Sequence, residues 1–228
     1  MRAGDAGQPM SDQDTTSHDR IAEAWRSGHE GGPERHDIRR LSLIQAAGRA
    51  FGRKGFHHTT LDEIARELSV TKPMLYRYVR SKQEILYECH RVAVGMAEEA
   101  LAEAERQGTG PLQKIGLFAE GYIARTTTAL GTCVVLTEYY SMTPEDTDRI
   151  QRRRRKIDTR LRALLREAME QGEIAPCDPK LAVFFFMGAI NGVNRWFSEG
   201  GERDGHEIAR VFARHIVASL SPRAPGGG

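Results

Sequence analysis

The chain has 228 residues, of which 39% are hydrophobic and 28% charged, with a formal net charge of +2 at pH 7. This composition is ordinary for a globular chain, and so small a net charge does not by itself indicate a nucleic-acid partner. No apolar run approaches the roughly 20 residues that span a bilayer, and the first residues lack a secretory apolar block, so we expect a cytoplasmic protein with no membrane partner.

The N-terminal residues 1–36 are rich in Gly, Asp, Gln, Ser and His without a sustained period, which predicts a disordered tail. The first helix is predicted over 37–54, where one apolar stripe is formed by Leu41, Ile44, Ala47 and Phe51. Gly55 follows as a candidate C-cap. We expect this helix to support the segment that comes next.

Residues 59–87 predict two short helices joined by a tight turn, followed by the start of a third helix. Thr60 and Glu63 have the spacing of a capping box, in which each side chain satisfies a free backbone N–H at a helix start. Ser81 and Glu84 repeat this spacing. The first short helix has an apolar stripe made of Leu61, Ile64, Ala65 and Leu68.

The second short helix begins after the turn at Ser69-Val70. Thr71 is its candidate cap, and Pro73 is tolerated because the N–H that it lacks would be unpaired at a helix start. Leu75 and Val79 lie one turn apart and can face inward, which leaves a basic, aromatic and polar outer face of Thr71, Lys72, Met74, Tyr76, Arg77 and Tyr78. Two such helices fit a helix-turn-helix that lays its second helix in the DNA major groove.

These residues resemble the DNA-binding domain of TetR-family transcriptional regulators. The resemblance covers residues 37–90 and rests on Phe51, Gly55-Phe56, Thr59-Thr60, Ile64-Ala65, Val70-Thr71-Lys72, Leu75-Tyr76 and Ser81-Lys82. Ser69 departs from the pattern, since the family usually has Gly there, and Ser adopts the left-handed conformation at a cost of about 1 kcal/mol. Tyr78 stands where the family often has His.

The resemblance implies a homodimer that binds palindromic double-stranded operator DNA, with one recognition helix per subunit. Between residues 37 and 90, ten Lys and Arg face six Asp and Glu, and this net +4 suits phosphate contacts. We expect phosphate contacts from Thr60, Thr71, Lys72, Tyr76 and Lys82. Base edges and thymine methyl groups are best reached by Lys72, Pro73, Met74 and Tyr78.

Residues 91–220 are predicted to form a larger helical domain for ligand binding and dimerisation, so that the whole fold is all-α. Predicted helices cover 81–107, 111–130, 132–140 and 144–171, and two more begin at Asp178-Pro179 and at Asp204. We interpret the basic run 152–156 as a solvated face, with anion binding as the alternative. Residues 221–228, rich in Pro and Gly, are a second predicted disordered tail.

The two C-terminal helices are predicted to form a dimer interface. The helix that begins at Pro179 is apolar nearly all round, which requires burial on more than one side. The last helix has one apolar face, with Ile208 and Phe212 on it. Two copies of this pair would make a four-helix bundle.

By resemblance, the C-terminal helices should enclose an effector site. The stretch 188–197 is similar to one in TetR-family members that sense CoA thioesters from fatty-acid, steroid or aromatic catabolism. Arg195 can pair with a phosphate or carboxylate and Trp196 can stack on a flat group, unless both only serve the dimer interface. The full set of candidate ligand residues is Arg125, Tyr139, Tyr140, Asn191, Arg195 and Trp196.

No catalytic constellation stands out. The sequence has no GxSxG, HExxH or Walker loop, and its three cysteines form no CxxC pair, so we expect neither an enzyme, a cofactor nor a zinc site. We predict a repressor that a small molecule, such as an acyl-CoA thioester, releases from its operator. Two alternatives stay open, namely an efflux-gene repressor that senses hydrophobic drugs and an architectural DNA-binding protein without a ligand.

Overall fold

The computed structural model describes residues 33–128, 131, 139–198 and 200–222. Over these ranges the chain is helical and has no strand, which confirms the all-α prediction. In chain order the helices are α1 Pro33–Lys54, α2 Leu61–Glu67, α3 Lys72–Leu75, α4 Lys82–Gln107, α5 Pro111–Thr126, a 3-10 turn Tyr139–Ser141, α6 Pro144–Glu170, α7 Pro179–Trp196 and α8 Gly205–Leu220. None of the helices in these ranges combines the length and apolar character that a membrane crossing requires.

Several helix bounds differ slightly from the predictions. α1 begins at Pro33, four residues before its predicted start. α5 ends at Thr126, short of 130, and the hydroxyl of Thr127 donates a hydrogen bond to the carbonyl of Ile123 at 2.9 Å. Such bonds from threonine back to the preceding turn accompany helix ends. The predicted short helix 132–140 lies mostly outside the described residues.

Local capping sets the start of α2 as predicted. The Thr60 hydroxyl accepts a hydrogen bond from the Glu63 N–H at 3.2 Å, and the Glu63 carboxylate accepts one from the Thr60 N–H at 2.9 Å. The second box is only half formed, because Glu84 accepts from the Arg80 N–H instead of from that of Ser81. Thr71 stands at the N-cap of α3 without a side-chain cap bond.

The turn between α2 and α3 has the predicted strained geometry. Ser69 has φ of 56°, and no other non-glycine residue of the described ranges has a positive φ. The N–H of Val70 donates back to the carbonyl of Ala65 at 2.9 Å, which closes the turn. Leu75 and Val79 then face a core shared by α1 to α4, as the helix-turn-helix prediction requires.

The second half of the chain packs around α5. This helix lies against α4 on one side and α8 on the other, and Gly116 allows the close approach, since a Cβ there would stand 2.9 Å from the Val217 methyl. α6 crosses α4 and α5 with the predicted apolar face turned inward, namely Ile150, Ile157, Leu161, Leu164 and Leu165. α7 packs at the edge of this group of helices, against α5, α6 and α8.

The basic run on α6 is only partly a solvated face. Arg152 and Arg155 are exposed and pair with Asp148 on their own helix. Arg153 instead makes two hydrogen bonds to Glu98 of α4, at 2.9 and 2.6 Å. A paired guanidinium and carboxylate between two helices fix their register, so this arginine holds α6 against α4.

One face of α7 is buried in the single chain, and the predicted burial of its other side by a partner subunit stays a prediction. Its buried residues in the single chain are Val183, Phe186, Ile190 and Val193. Its other face leaves large apolar side chains exposed, of which Phe185 is 67% and Trp196 55% exposed. The described part of the chain therefore leaves this face exposed.

Candidate nucleic-acid interface

The outer face of α3 carries the side chains that the sequence assigned to DNA. Lys72, Pro73 and Tyr76 are exposed, Met74 is half-buried, and Leu75 is fully buried beneath them. A helix of this shape offers charge, an aromatic hydroxyl and apolar contacts to a groove. Thr71 is exposed at its N-terminus.

Lys72 does not project alone. Its ammonium donates a hydrogen bond to the Asp62 carboxylate of α2 at 2.8 Å. This bond raises the pKa of Lys72, so the side chain is a full cation. Thr60, another predicted phosphate contact, is exposed but already uses its hydroxyl in the α2 cap.

Tyr78 is held by α1. The guanidinium of Arg39 donates to the Tyr78 hydroxyl at 3.3 Å, and the His36 ring lies 4.9 Å from the Tyr78 ring, centroid to centroid. The tyrosine is half-buried as a result. The contact of Tyr78 with a base edge remains a prediction. The position of the Tyr78 side chain depends on the first turns of α1.

Lys82 makes contacts within the protein, and its predicted phosphate contact stays a prediction. Its ammonium donates to the carbonyl oxygens of Phe56 and Thr59, at 2.7 and 2.8 Å, and stands 4.3 Å from the centroid of the Phe56 ring. Two of its three protons are therefore engaged within the protein. The geometry gives Lys82 a structural role, since it ties the start of α4 to the segment between α1 and α2.

The basic residues of α1 are largely neutralised by α2. Arg49 and Arg53 both bind Glu67, at 3.2 and 3.0 Å, and Lys54 binds Glu63 at 2.6 Å. Among residues 37–90, the exposed arginines that have no carboxylate partner within the described ranges are Arg66, Arg77 and Arg80. The sequence predicts an outward position for Arg77 but does not name any of the three as a phosphate contact, although they are the cations of this module most available to phosphates. Their lack of a nearby carboxylate depends on the fold and was not visible in the sequence.

The candidate ligand residues whose side chains the structure describes do not form one cluster of shared contacts. Arg125 binds Glu103 of α4 at 2.6 Å, a pairing that lowers the pKa of Glu103, and donates to the carbonyl of Gly121 at 2.9 Å. Tyr140 is 96% exposed. Tyr139 begins the 3-10 turn, and its side chain lies outside the described residues.

The remaining three candidates lie on α7. Asn191 is half-buried, and its side-chain oxygen has no hydrogen-bond donor within the described part of the chain. Arg195 and Trp196 are exposed at the end of the helix, where the indole lies 6.1 Å from the Phe212 ring. Arg195 has no carboxylate partner in the same ranges.

The 3-10 turn lies between the two halves of the chain. The Ser141 hydroxyl oxygen stands 3.1 Å from Nε2 of His57, which belongs to the segment between α1 and α2. Beside the turn is an open cavity of about 330 Å³, lined by Tyr140, Met142, Pro144, Thr147, Asp148 and Gln151. The turn thus contacts the DNA-binding half on one side and borders this cavity on the other.

Comparison with known proteins gives matches over both halves. Residues 43–89 match the model of bacterial regulatory proteins of the tetR family, and residues 108–220 match the Tetracyclin repressor-like C-terminal domain. The uncharacterized HTH-type transcriptional regulator YhgD of Bacillus subtilis (strain 168) is 22% identical over 185 residues, which is 80% of this chain and 97% of YhgD.

Two solved structures are similar over nearly their whole length. The TetR family transcriptional regulator PfmR from Thermus thermophilus has a TM-score of 0.67 at 27% identity, covering 77% of this chain and 97% of PfmR. AibR, solved in complex with isovaleryl coenzyme A and operator DNA, has a TM-score of 0.67 at 24% identity, covering 80% of this chain and 98% of AibR.

Proposed function

Because the chain belongs to the TetR family of DNA-binding transcriptional regulators, we propose that it is a repressor that a small molecule releases from its operator, and that this molecule is an acyl-CoA thioester. Regulators of this family bind operator DNA as dimers and are not enzymes.

On the DNA side, the proposed contacts are those of the exposed face of α3. Lys72 and Tyr76 project from that face, and Arg77 and Arg80 follow it without carboxylate partners in the described ranges. Arginine and lysine at phosphates supply affinity and register, while side chains in the groove supply sequence preference. We assign Arg77 and Arg80 to phosphates and the residues of α3 to the groove.

The proposed dimer face is the uncovered side of α7. Leu181, Phe184 and Phe185 follow helical spacing and are all more than half exposed. Apolar patches of this kind on a folded chain mark interaction sites. A second copy that packs its own α7 and α8 against them would form a four-helix bundle and bring two α3 helices to one two-fold operator.

The observation that carries the effector assignment is the pair Arg195 and Trp196. An exposed guanidinium without a carboxylate partner in the described ranges lies beside an indole that rests on Phe212. A CoA thioester offers phosphates to the first group and an adenine ring to the second. The fold likeness to AibR, whose structure holds isovaleryl coenzyme A, adds support.

Release would follow from linkage. The dimer has one state whose α3 helices are spaced for the operator and one state whose α3 helices are not. An effector that binds better to the second state lowers the affinity for the operator by at most the ratio of the effector's affinities for the two states. Acyl-CoA and operator then weaken each other's binding by the same factor.

The test is thermal melting of the purified protein with isovaleryl-CoA, a longer acyl-CoA, CoA itself, free fatty acids and cationic hydrophobic drugs. A ligand that binds only the folded state raises the melting temperature by mass action. We expect a rise with acyl-CoAs that is lost in Arg195→Ala and kept in Arg166→Ala, which removes an exposed arginine of α6. A rise with cationic drugs alone would point to an efflux-gene repressor, and no rise with any compound would overturn the acyl-CoA assignment.

A second test addresses the DNA face. An operator is first selected from a pool of random duplexes with the full-length protein. Lys72→Ala and Tyr76→Ala are each expected to lower affinity for it about 5- to 150-fold, since each removes about 1–3 kcal/mol of contact. Arg166→Ala should bind the operator normally. Unchanged affinity in both α3 variants would contradict the assignment of this face.

A further inference from the structure

Asp62 is a carboxylate on the surface that approaches DNA. It lies in the first turn of α2, and its oxygen accepts a hydrogen bond from the ammonium of Lys72, the first residue of α3, at 2.8 Å. The side chains of Asp62 and Lys72 are 58% and 43% exposed. The pair thus bridges the two helices of the helix-turn-helix at its outer surface.

The other two carboxylates of α2 have a different orientation. Glu63 binds Lys54 and caps α2, and Glu67 binds Arg49 and Arg53, so both attach α2 to α1. Within α2, Asp62 alone pairs with the recognition helix. Exposed ion pairs contribute little to stability, so beyond the favourable place of an acidic residue in the first turn of α2, the pair with Lys72 adds little to folding.

The Asp62 carboxylate also has an electrostatic cost for DNA binding. It repels the phosphates that the neighbouring cations attract, and its negative charge offsets the positive charge of Lys72 at the start of α3. A lysine without such a partner would take the nearest phosphate, which carries no sequence information. A lysine held by a carboxylate keeps two of its three ammonium protons for other acceptors.

We propose that Asp62 is a specificity-determining residue that positions Lys72. Asp62 keeps the ammonium away from the phosphate backbone and holds it toward base edges, where guanine O6 and N7 are its best acceptors. The paired lysine binds the DNA phosphate backbone weakly on any sequence. On the correct sequence, a base edge accepts a hydrogen bond from the ammonium, so the difference in affinity between correct and incorrect sequences rises. The inference rests on the proposed contact between Lys72 and DNA.

The experiment is a double-mutant cycle with Asp62→Asn, Lys72→Met and the double variant in the full-length protein. Affinities are measured for the selected operator and for a scrambled duplex of equal length, over a range of salt concentrations. With Lys72 present, Asp62→Asn should strengthen scrambled binding about tenfold and operator binding about threefold or less, so that selectivity falls. The salt slope for scrambled DNA should steepen by about one, since the freed lysine meets one more phosphate.

The Lys72→Met background separates the positioning of Lys72 by Asp62 from the general repulsion between the Asp62 carboxylate and DNA. There, Asp62→Asn should change operator and scrambled binding by the same factor. Asp37→Asn, which removes an exposed carboxylate of α1 and leaves the pair intact, should likewise leave selectivity unchanged. Melting temperatures confirm that every variant is folded.

Each contrary result has a distinct meaning. The positioning role of Asp62 is overturned if Asp62→Asn changes the affinities for the two duplexes by the same factor in the protein that has Lys72. It is also overturned if Asp62→Asn lowers selectivity as much in the Lys72→Met background as in the protein that has Lys72. Neither result contradicts the proposed DNA contact of Lys72. If Lys72→Met leaves operator affinity unchanged, the DNA contact itself is overturned, and the role of Asp62 with it.

Discussion

The Lys82 ammonium lies 2.7 Å from the carbonyl oxygen of Phe56, to which it donates a hydrogen bond. A residue that the sequence pattern assigned to phosphate therefore closes the DNA-binding module from within. Hydrogen bonds from a charged group to buried carbonyls contribute more to stability than neutral ones do. Lys82 is accordingly expected to affect folding before it affects recognition.

Replacing Lys82 by Met keeps the aliphatic stem and removes the ammonium. We expect the free energy of unfolding to fall by about 1–3 kcal/mol, because the Phe56 and Thr59 carbonyls lose their donor. Urea unfolding measures the change, with Lys156→Met, at an exposed lysine of α6, as the control that should change little. A Lys82→Met protein with normal stability but weakened operator binding would restore the phosphate role.

Ser69→Gly is expected to stabilise the protein. Ser69 has φ of 56°, a conformation that strains any residue with a Cβ. Glycine removes this strain but adds freedom to the unfolded chain, so the net gain should be about 0.5–1 kcal/mol. Ser69→Ala keeps the Cβ and should bring no gain in the same urea titration. Equal effects of Gly and Ala would show that the backbone angle is not the cause.

The Glu63 carboxylate should make the stability of the protein fall in acid. Its hydrogen bond with Lys54, followed by that from the Thr60 N–H, lowers the pKa of Glu63 from 4.5 to about 2. Because the pKa is lower in the folded state, these bonds stabilise the fold fully above about pH 4.5. The stabilisation is lost as the pH falls from there toward 2.

Melting temperatures of the wild type and of Glu63→Gln, recorded from pH 7 to pH 2.5, test this. The difference in melting temperature between the two proteins should be constant above about pH 5 and shrink below it, since only the wild type has a Glu63 carboxylate that takes up a proton there. A gap that stays the same down to pH 2.5 would show that the Glu63 carboxylate has no depressed pKa in the folded protein.

Phe185→Asp should convert the dimer into monomers. Phe185 is 67% exposed in the single chain, so a charge there leaves the monomer core intact and is costly only when a second copy covers it. Sedimentation velocity at micromolar concentration should show one species of half the wild-type mass. Tyr140→Asp, at an exposed aromatic of the 3-10 turn, is the matched control. A Phe185→Asp protein that stays dimeric would place the interface elsewhere.

The parts of the fold that could be predicted from sequence are those that neighbouring residues determine. The Thr60 and Glu63 capping box, the turn at Ser69 and the buried positions Leu75 and Val79 depend on spacings of a few residues. Family resemblance supplied the rest of the module.

The sequence did not show which partners a side chain has far along the chain. Lys82 finds Phe56 from 26 residues away, and Arg153 finds Glu98 from 55 residues away. Spacing within one helix identifies which side chains face outward, but it does not show which other helix they meet. Phe185 shows the same limit, because periodicity predicts burial of α7 on more than one side but does not show which face a second chain covers.

The contact between His57 and Ser141 gives the DNA-binding half a second attachment to the rest of the chain, besides the continuous helix α4. A module held at one point can swivel and thus fit operators whose halves lie at various distances. A module held at two points favours one angle as long as no effector shifts the dimer to its other state. The regulator should therefore tolerate little change in the number of base pairs between half-sites, and one inserted base pair should weaken binding as severely as a wrong base in the groove.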